Sequence, residues 1–226
     1  MKNYLLILFA LLSCNLLFGQ EITNGVKLIS SSQLSSSETS SRFDSHIANV
    51  QEVKLLINYL KQRGYNSLTG NANYFGAESV REITATKKRV KSSLLLADYV
   101  NNKNEYAALG VTVCKSDSTD GSSKESAYYF ILFMPDGKFT NATGYFVENG
   151  KVSLAHSWKT CLVNHISGCA GACISALTGC IPLAATVAGY LACLASICGT
   201  CLEWEIACCA CDCKWWCRGA VGCCNR

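Results

Sequence analysis

Fourteen of the sixteen cysteines in this chain lie in its last 66 residues, between Cys161 and Arg226. A segment that short cannot bury enough apolar area to offset its chain entropy, so cysteine at this density reads as a covalent framework formed outside the reducing cytosol. Reduced thiols at the same density would suggest metal binding instead. The framework residues are Cys161, Cys169, Cys173, Cys180, Cys193, Cys198, Cys201, Cys208, Cys209, Cys211, Cys213, Cys217, Cys223 and Cys224. Full pairing makes seven bridges, each contributing about 2 to 4 kcal/mol against the unfolded chain. Connectivity stays open, because this many cysteines allow on the order of 10⁵ complete pairings. Neighbours such as Cys208-Cys209 and Cys223-Cys224 would close strained rings if bonded to each other, so each pair is expected to reach two different partners.

The opening MKNYLLILFALLSCNLLFGQ carries one basic residue, Lys2, then a nearly unbroken apolar run from Tyr4 to Phe18, then Gly19 and Gln20. Its ~15 apolar residues fall short of the roughly 20 that span a bilayer. Residues 1–20 are therefore expected to be a secretory signal peptide cut around Gly19 and Gln20, and the protein to be extracellular. Leu11-Leu12-Ser13-Cys14 also fits a lipoprotein box, but the apolar run continues past Cys14.

Composition shifts sharply along the 226 residues, which favours two domains. Residues 21–45 include SSSQLSSSETSS and read as a Ser-rich flexible linker. From His46 to Tyr65, Ile47, Val50, Val53, Leu56, Ile57 and Leu60 recur at helical spacing with Gly64 as the stop, predicting one amphipathic helix. Leu94–Val100 and Tyr106–Val113 flank NNKN as a hairpin. The turns Pro135-Asp136-Gly137 and Glu148-Asn149-Gly150 divide AYYFILFM, KFTNATGYFV and KVSLAHSW into a three-strand meander. Residues 46–158 are thus expected to form an α+β domain of one helix and about five antiparallel strands. Lys115–Ser126 is expected to be a polar, exposed loop.

No Asp, Glu, Lys or Arg occurs over the 37 residues from Ile166 to Leu202. Pro182, with Gly179 and Gly189 nearby, divides this stretch into two short helices folded against each other. On the first, Cys169, Cys173 and Cys180 fall within about 40 degrees of one face, where they can staple the helix to its neighbours. Residues 160–226 are expected to be a small, mainly α-helical, disulfide-stapled peptide domain. As a helical hairpin it presents more apolar surface than a domain of its size can hide, which points to a membrane as its target.

Catalysis finds no support. His46, His156 and His165 are scattered, and neither a phosphate loop nor a nucleophile elbow occurs. Cys198 and Cys201 have Cys-x-x-Cys spacing but emerge from an apolar run, which favours structural pairing over redox chemistry. Trp204, Ile206, Trp215, Trp216 and Val221 among the tail cysteines argue against a thiolate metal site, and oxidised cysteines cannot ligate. No metal or cofactor is expected. Glu203 and Glu205 read as a solvated face, and Asn141-Ala142-Thr143 is a glycosylation sequon. The net charge of +4 gathers into no basic stripe, so nucleic acid is not an expected partner.

The succession of signal peptide, soluble spacer and a C-terminal part opening with NHISGCAGACISALTGCIPLAATVAGYLACLASICGTC resembles the precursors of halocin C8-like bacteriocins. The resemblance covers roughly residues 160–226 and the order of parts. Its motif is Gly-Cys-x-x-x-Cys followed by Ala/Gly/Leu/Ile-rich text punctuated by cysteines, and the tail from Cys208 is denser in Cys and Trp than that pattern. It implies that proteolysis releases a C-terminal antimicrobial peptide acting on the membrane or envelope of competing cells. It also implies that the N-terminal domain restrains the toxin or confers immunity, and it brings no catalytic residues.

Cysteine parity bears on the cut. Cleavage at Lys159 and Thr160 releases 14 cysteines and leaves Cys114 as a thiol in the N-terminal domain, whereas a cut between Cys161 and Cys169 would release 13. The competing expectation is a single-pass membrane protein with Ile174–Thr200 as the span and a lipidated or metal-loaded tail. Pro182 and the glycines around it make a poor lipid-facing helix.

Overall fold

The computed structural model of the protein describes residues 22–23, 26–68, 70, 73–117, 123–134, 143–154, 180 and 186–198. In chain order the elements are β1 (Ile22–Thr23), β2 (Val26–Gln33), α1 (Ser36–Ile47), α2 (Gln51–Gln62), β3 (Asn66–Ser67), β4 (Tyr74–Ile83), β5 (Lys88–Val100), β6 (Tyr106–Asp117), β7 (Ser123–Met134), β8 (Thr143–Glu148), β9 (Lys151–Leu154) and α3 (Val187–Cys198). The strands form one antiparallel sheet in the order β1-β2-β4-β5-β6-β7-β8-β9, with β3 paired to β5 beyond the end of β4.

Leu94-Leu95-Leu96 dictates the layering. Successive side chains on a strand point to opposite faces, so three consecutive leucines need apolar cover on both sides of the sheet. All three are fully buried. One face carries Leu95, Leu109, Val111 and Ile131 against Phe43 of α1 and Val53, Leu56 and Leu60 of α2. The other carries Phe75, Leu94, Leu96, Phe130 and Leu132 against Val187, Tyr190, Leu191 and Leu194 of α3. The described residues thus stack as helices, sheet, helix.

The antiparallel α+β character expected of the N-terminal part is present, with corrections of detail. Two helices, α1 and α2, cover the first face where one was expected; among the described residues seven strands, β3 to β9, lie within 46–158 where about five were expected, and β1 and β2 ahead of that span join the same sheet. Residues 21–45 were expected to be a flexible linker, but Val26–Gln33 form β2 and the stretch from Ser36 onward forms α1. The serine-rich composition conceals an N-cap: Ser35 Oγ accepts the Glu38 N–H at 3.3 Å, at the serine position that starts helices. Thr39 Oγ1 then donates to the Ser35 carbonyl at 2.9 Å. Among the described side chains of this segment, Leu34, Thr39 and Phe43 are the buried ones, so its mean apolarity conveys little.

The helix expected from His46 to Tyr65 is split. Asn49 takes φ 62°, a left-handed conformation that Asn tolerates better than most residues. This leaves His46 in the last turn of α1 and restarts the helix at Gln51. Gly64, at φ 79°, follows the end of α2 as expected.

The hairpin at NNKN stands where the residues placed it, on longer strands. Asn101 Oδ1 accepts the N–H groups of Lys103 and Glu105, each at 2.9 Å, and so closes the loop between β5 and β6. Within Lys115–Ser126, expected to be an exposed loop, Lys115–Asp117 and Ser123–Ser126 are paired strand: Lys115 pairs with Glu125, Ser116 with Lys124 and Asp117 with Ser123. Polar side chains on a paired strand read as loop when judged by polarity alone. At the other end, Asn149 (φ 52°) and Gly150 (φ 73°) make the tight turn that pairs Glu148 with Lys151. The turn at Pro135-Asp136-Gly137 lies outside the described residues.

Candidate functional site

The seat of α3 is built from one stretch of β5. In LLLADYV, alternation puts Leu94, Leu96 and Asp98 on the same face, and that face carries α3. Asp98 is 1% exposed. It stands opposite Ala108 of β6, which in turn stands opposite Leu132 of β7, so a carboxyl group is buried among short and apolar side chains.

What Asp98 meets there is the N-terminus of α3. Thr186 is the residue before the helix, and its Oγ1 accepts the Gly189 N–H at 3.1 Å while its carbonyl accepts the Tyr190 N–H at 2.9 Å. Both oxygens of Asp98 lie within reach of the Ala188 N–H, at 3.0 and 3.1 Å, and the Thr186 hydroxyl donates to the same carboxyl. The first turn of a helix leaves its N–H groups without helical partners. Here one is met by the helix's own threonine and one by the sheet.

Burial pushes the Asp98 carboxyl up to about 7 from an ordinary 3.8, and the bonds from Thr186 and the Ala188 N–H pull it back only in part. Among the described residues it forms no ion pair.

Below the helix, Cys180 is fully buried in the same apolar cluster and is bonded to Cys193, with the two Cα atoms 5.7 Å apart. This bridge links the chain ahead of Pro182 to the middle of α3, two framework positions on either side of the expected break. Cys198 closes α3. The framework positions Cys161, Cys169, Cys173, Cys201, Cys208, Cys209, Cys211, Cys213, Cys217, Cys223 and Cys224 lie outside the described residues, as do Lys159, Thr160, Gly19 and Gln20. Cys114 is a buried thiol in β6, opposite Ser92 and Ser126.

Of the stretch Ile174–Thr200, the described helical part is the 12-residue α3. No helix among the described residues is long and apolar enough to cross a membrane.

Asp98 and Thr186 escaped the reading of the sequence. Their signal was available: an acidic residue at core-facing parity within an apolar strand must find donors, and a threonine just ahead of an apolar helical run is an N-cap. Comparison of the chain with protein-family models, with curated proteins and with solved structures finds no match.

Proposed function

We propose that this protein is the precursor of a secreted antimicrobial peptide of the bacteriocin kind, whose N-terminal sheet domain restrains the apolar C-terminal segment until proteolysis frees it. One observation carries the reading: Val187, Tyr190, Leu191 and Leu194 of α3 are each no more than 1% exposed, and they lie against a sheet face of the same chain. A helix without a single charged residue needs apolar cover in water. Once the helix leaves that cover, the hydrocarbon of a bilayer is the next surface that can take its place.

The bridge between Cys180 and Cys193 supports the same reading. A cut at Lys159 and Thr160 falls between β9 and Cys180, so both cysteines stay on the released fragment and hold its shape after release. Persistence of that bridge requires an oxidising compartment, in keeping with the expected signal peptide.

The test is dye leakage from vesicles and growth inhibition of sensitive cells, measured for the oxidised peptide 160–226 and for the uncut secreted chain. The peptide is expected to act and the uncut chain to be inert. A correctly oxidised peptide with neither effect removes the reading, and equal activity of the uncut chain removes the restraint.

A further inference from the structure

We propose that Asp98 is a proton-operated latch on α3: while its carboxyl is neutral the helix stays docked on the sheet, and loss of that proton to solvent loosens the helix. The inference rests on the reading of the chain as a restrained precursor and names how the restraint is regulated.

The geometry is that of a buried acid facing the start of a helix. As a neutral carboxyl, Asp98 can accept the Ala188 N–H on one oxygen and carry its proton on the other, next to the Thr186 hydroxyl. Once ionised, it places a full charge among Leu96, Ala108 and Leu132, balanced by one N–H and one hydroxyl. A buried charge held so sparsely is relieved by letting water in, and the movable part of its surroundings is α3.

Among the described residues of β4 to β7 and α3, the ionisable side chains on the face that Asp98 shares are Tyr106 of β6 and Tyr190 of α3 close by, with Arg81 of β4, Lys88 of β5, Cys114 of β6 and Tyr128 of β7 toward the opposite end of the strands. Glu105, in the adjoining hairpin, accepts from Asn101 Nδ2 at 2.7 Å. Glu78 and Lys91 pair with each other on the opposite face, and Arg81 stands toward the far end of β4. Among the described residues, the causes acting on Asp98 are burial, the Thr186 hydroxyl and the Ala188 N–H.

The sign follows from the acid being harder to ionise when docked than when open. Docking is strongest below the ordinary carboxylate value of 3.8 and weakens as pH rises toward the docked value of about 7. Between pH 5 and pH 8 the undocking equilibrium is expected to rise on the order of a hundredfold.

The experiment is hydrogen exchange on the full-length secreted chain across that pH range, corrected for intrinsic exchange. Amides of Leu191 to Leu194 report docking, and β5 and β6 amides report the integrity of the sheet. In the wild type, α3 protection should fall on the order of a hundredfold relative to the sheet. In Asp98→Asn, which keeps an acceptor and cannot ionise, it should be level with pH. Constant wild-type protection, or an unchanged slope in Asp98→Asn, overturns the latch.

Should Asp98→Asn unfold the sheet, Thr186→Val serves instead. It removes a bond that favours the charged form, so the loss of protection should move to higher pH, and an unmoved profile overturns the proposal. Flat protection leaves the precursor reading standing, whereas an inert released peptide sinks that reading and leaves the latch intact.

Discussion

The ring of Phe130 fills the place of the side chain that Gly110 lacks: a Cβ on Gly110 would stand 2.2 Å from Phe130 Cζ. The two residues are paired across β6 and β7, and the ring belongs to the apolar floor on which α3 rests. Gly110→Ala must therefore move the ring or bend β6. It is expected to cost about 1 to 3 kcal/mol in urea unfolding, and Phe130→Leu in the same chain should recover part of that loss. Additive effects of the two substitutions would show that the contact is not the cause.

A second close approach holds the other layer. A Cβ on Gly76 would stand 2.3 Å from Thr39 Oγ1, and the Gly76 carbonyl accepts the Leu34 N–H at 2.8 Å. Gly76→Ala is expected to lift α1 from β4 and cost about 1 to 3 kcal/mol. Combining it with Thr39→Ser, which clears one of the two clashing atoms, should restore less than half of the loss.

Leu191 is fully buried between α3 and the sheet. Leu191→Ala should weaken docking by about 2 to 5 kcal/mol. The readout is increased binding of an apolar dye by the full-length chain, with far-ultraviolet circular dichroism of the sheet retained. Unchanged dye binding would mean that α3 is held by something other than this face.

The two faces of the sheet respond to pH in opposite senses. Burial pushes the Glu78 carboxyl up, but bonds from Ser93, Lys91 and Arg42 more than reverse this, and the group ends below its ordinary value of 4.5. A lowered carboxyl contributes stability that is present above 4.5 and is lost as pH falls through the folded value. Acid should therefore loosen α1, which is tied to Glu78 through Arg42, while α3 is held most firmly there. Tryptic cleavage at Arg42 after brief acid exposure, compared with Glu78→Gln, checks this. The wild type should become more susceptible as the exposure pH falls below the ordinary carboxylate value of 4.5, and the variant should be susceptible at neutral pH already.

Much of the sheet could be read from the residues because its turns are chemically explicit. Asn101 to Asn104 and Asn149-Gly150 announce hairpins through conformations that few residues accept, and Gly64 announces a helix end. What stayed hidden depended on single contacts. Ser35 and Glu38 start a helix by two atoms meeting, inside a stretch whose composition argues for disorder. Leu94 to Leu96 required a cover on each side, yet no local pattern says that one of those covers lies some ninety residues further along, at Val187. The seat of α3 was therefore illegible, although the helix itself was expected on the C-terminal side of Pro182.

That separation governs the order in which the molecule can be finished. β9 ends at Leu154, and the helix that covers the second face starts at Val187. At a synthesis rate of roughly 5 to 20 residues per second, the two events are seconds apart. For that interval Phe75, Leu94, Leu96, Phe130 and Leu132 belong to a sheet whose covering helix has yet to be made, and each nascent chain is exposed to association with its neighbours. Among the described elements, the last helix to be made is therefore the one that completes the fold: α3 closes over a sheet face that has stood open since β9 was finished.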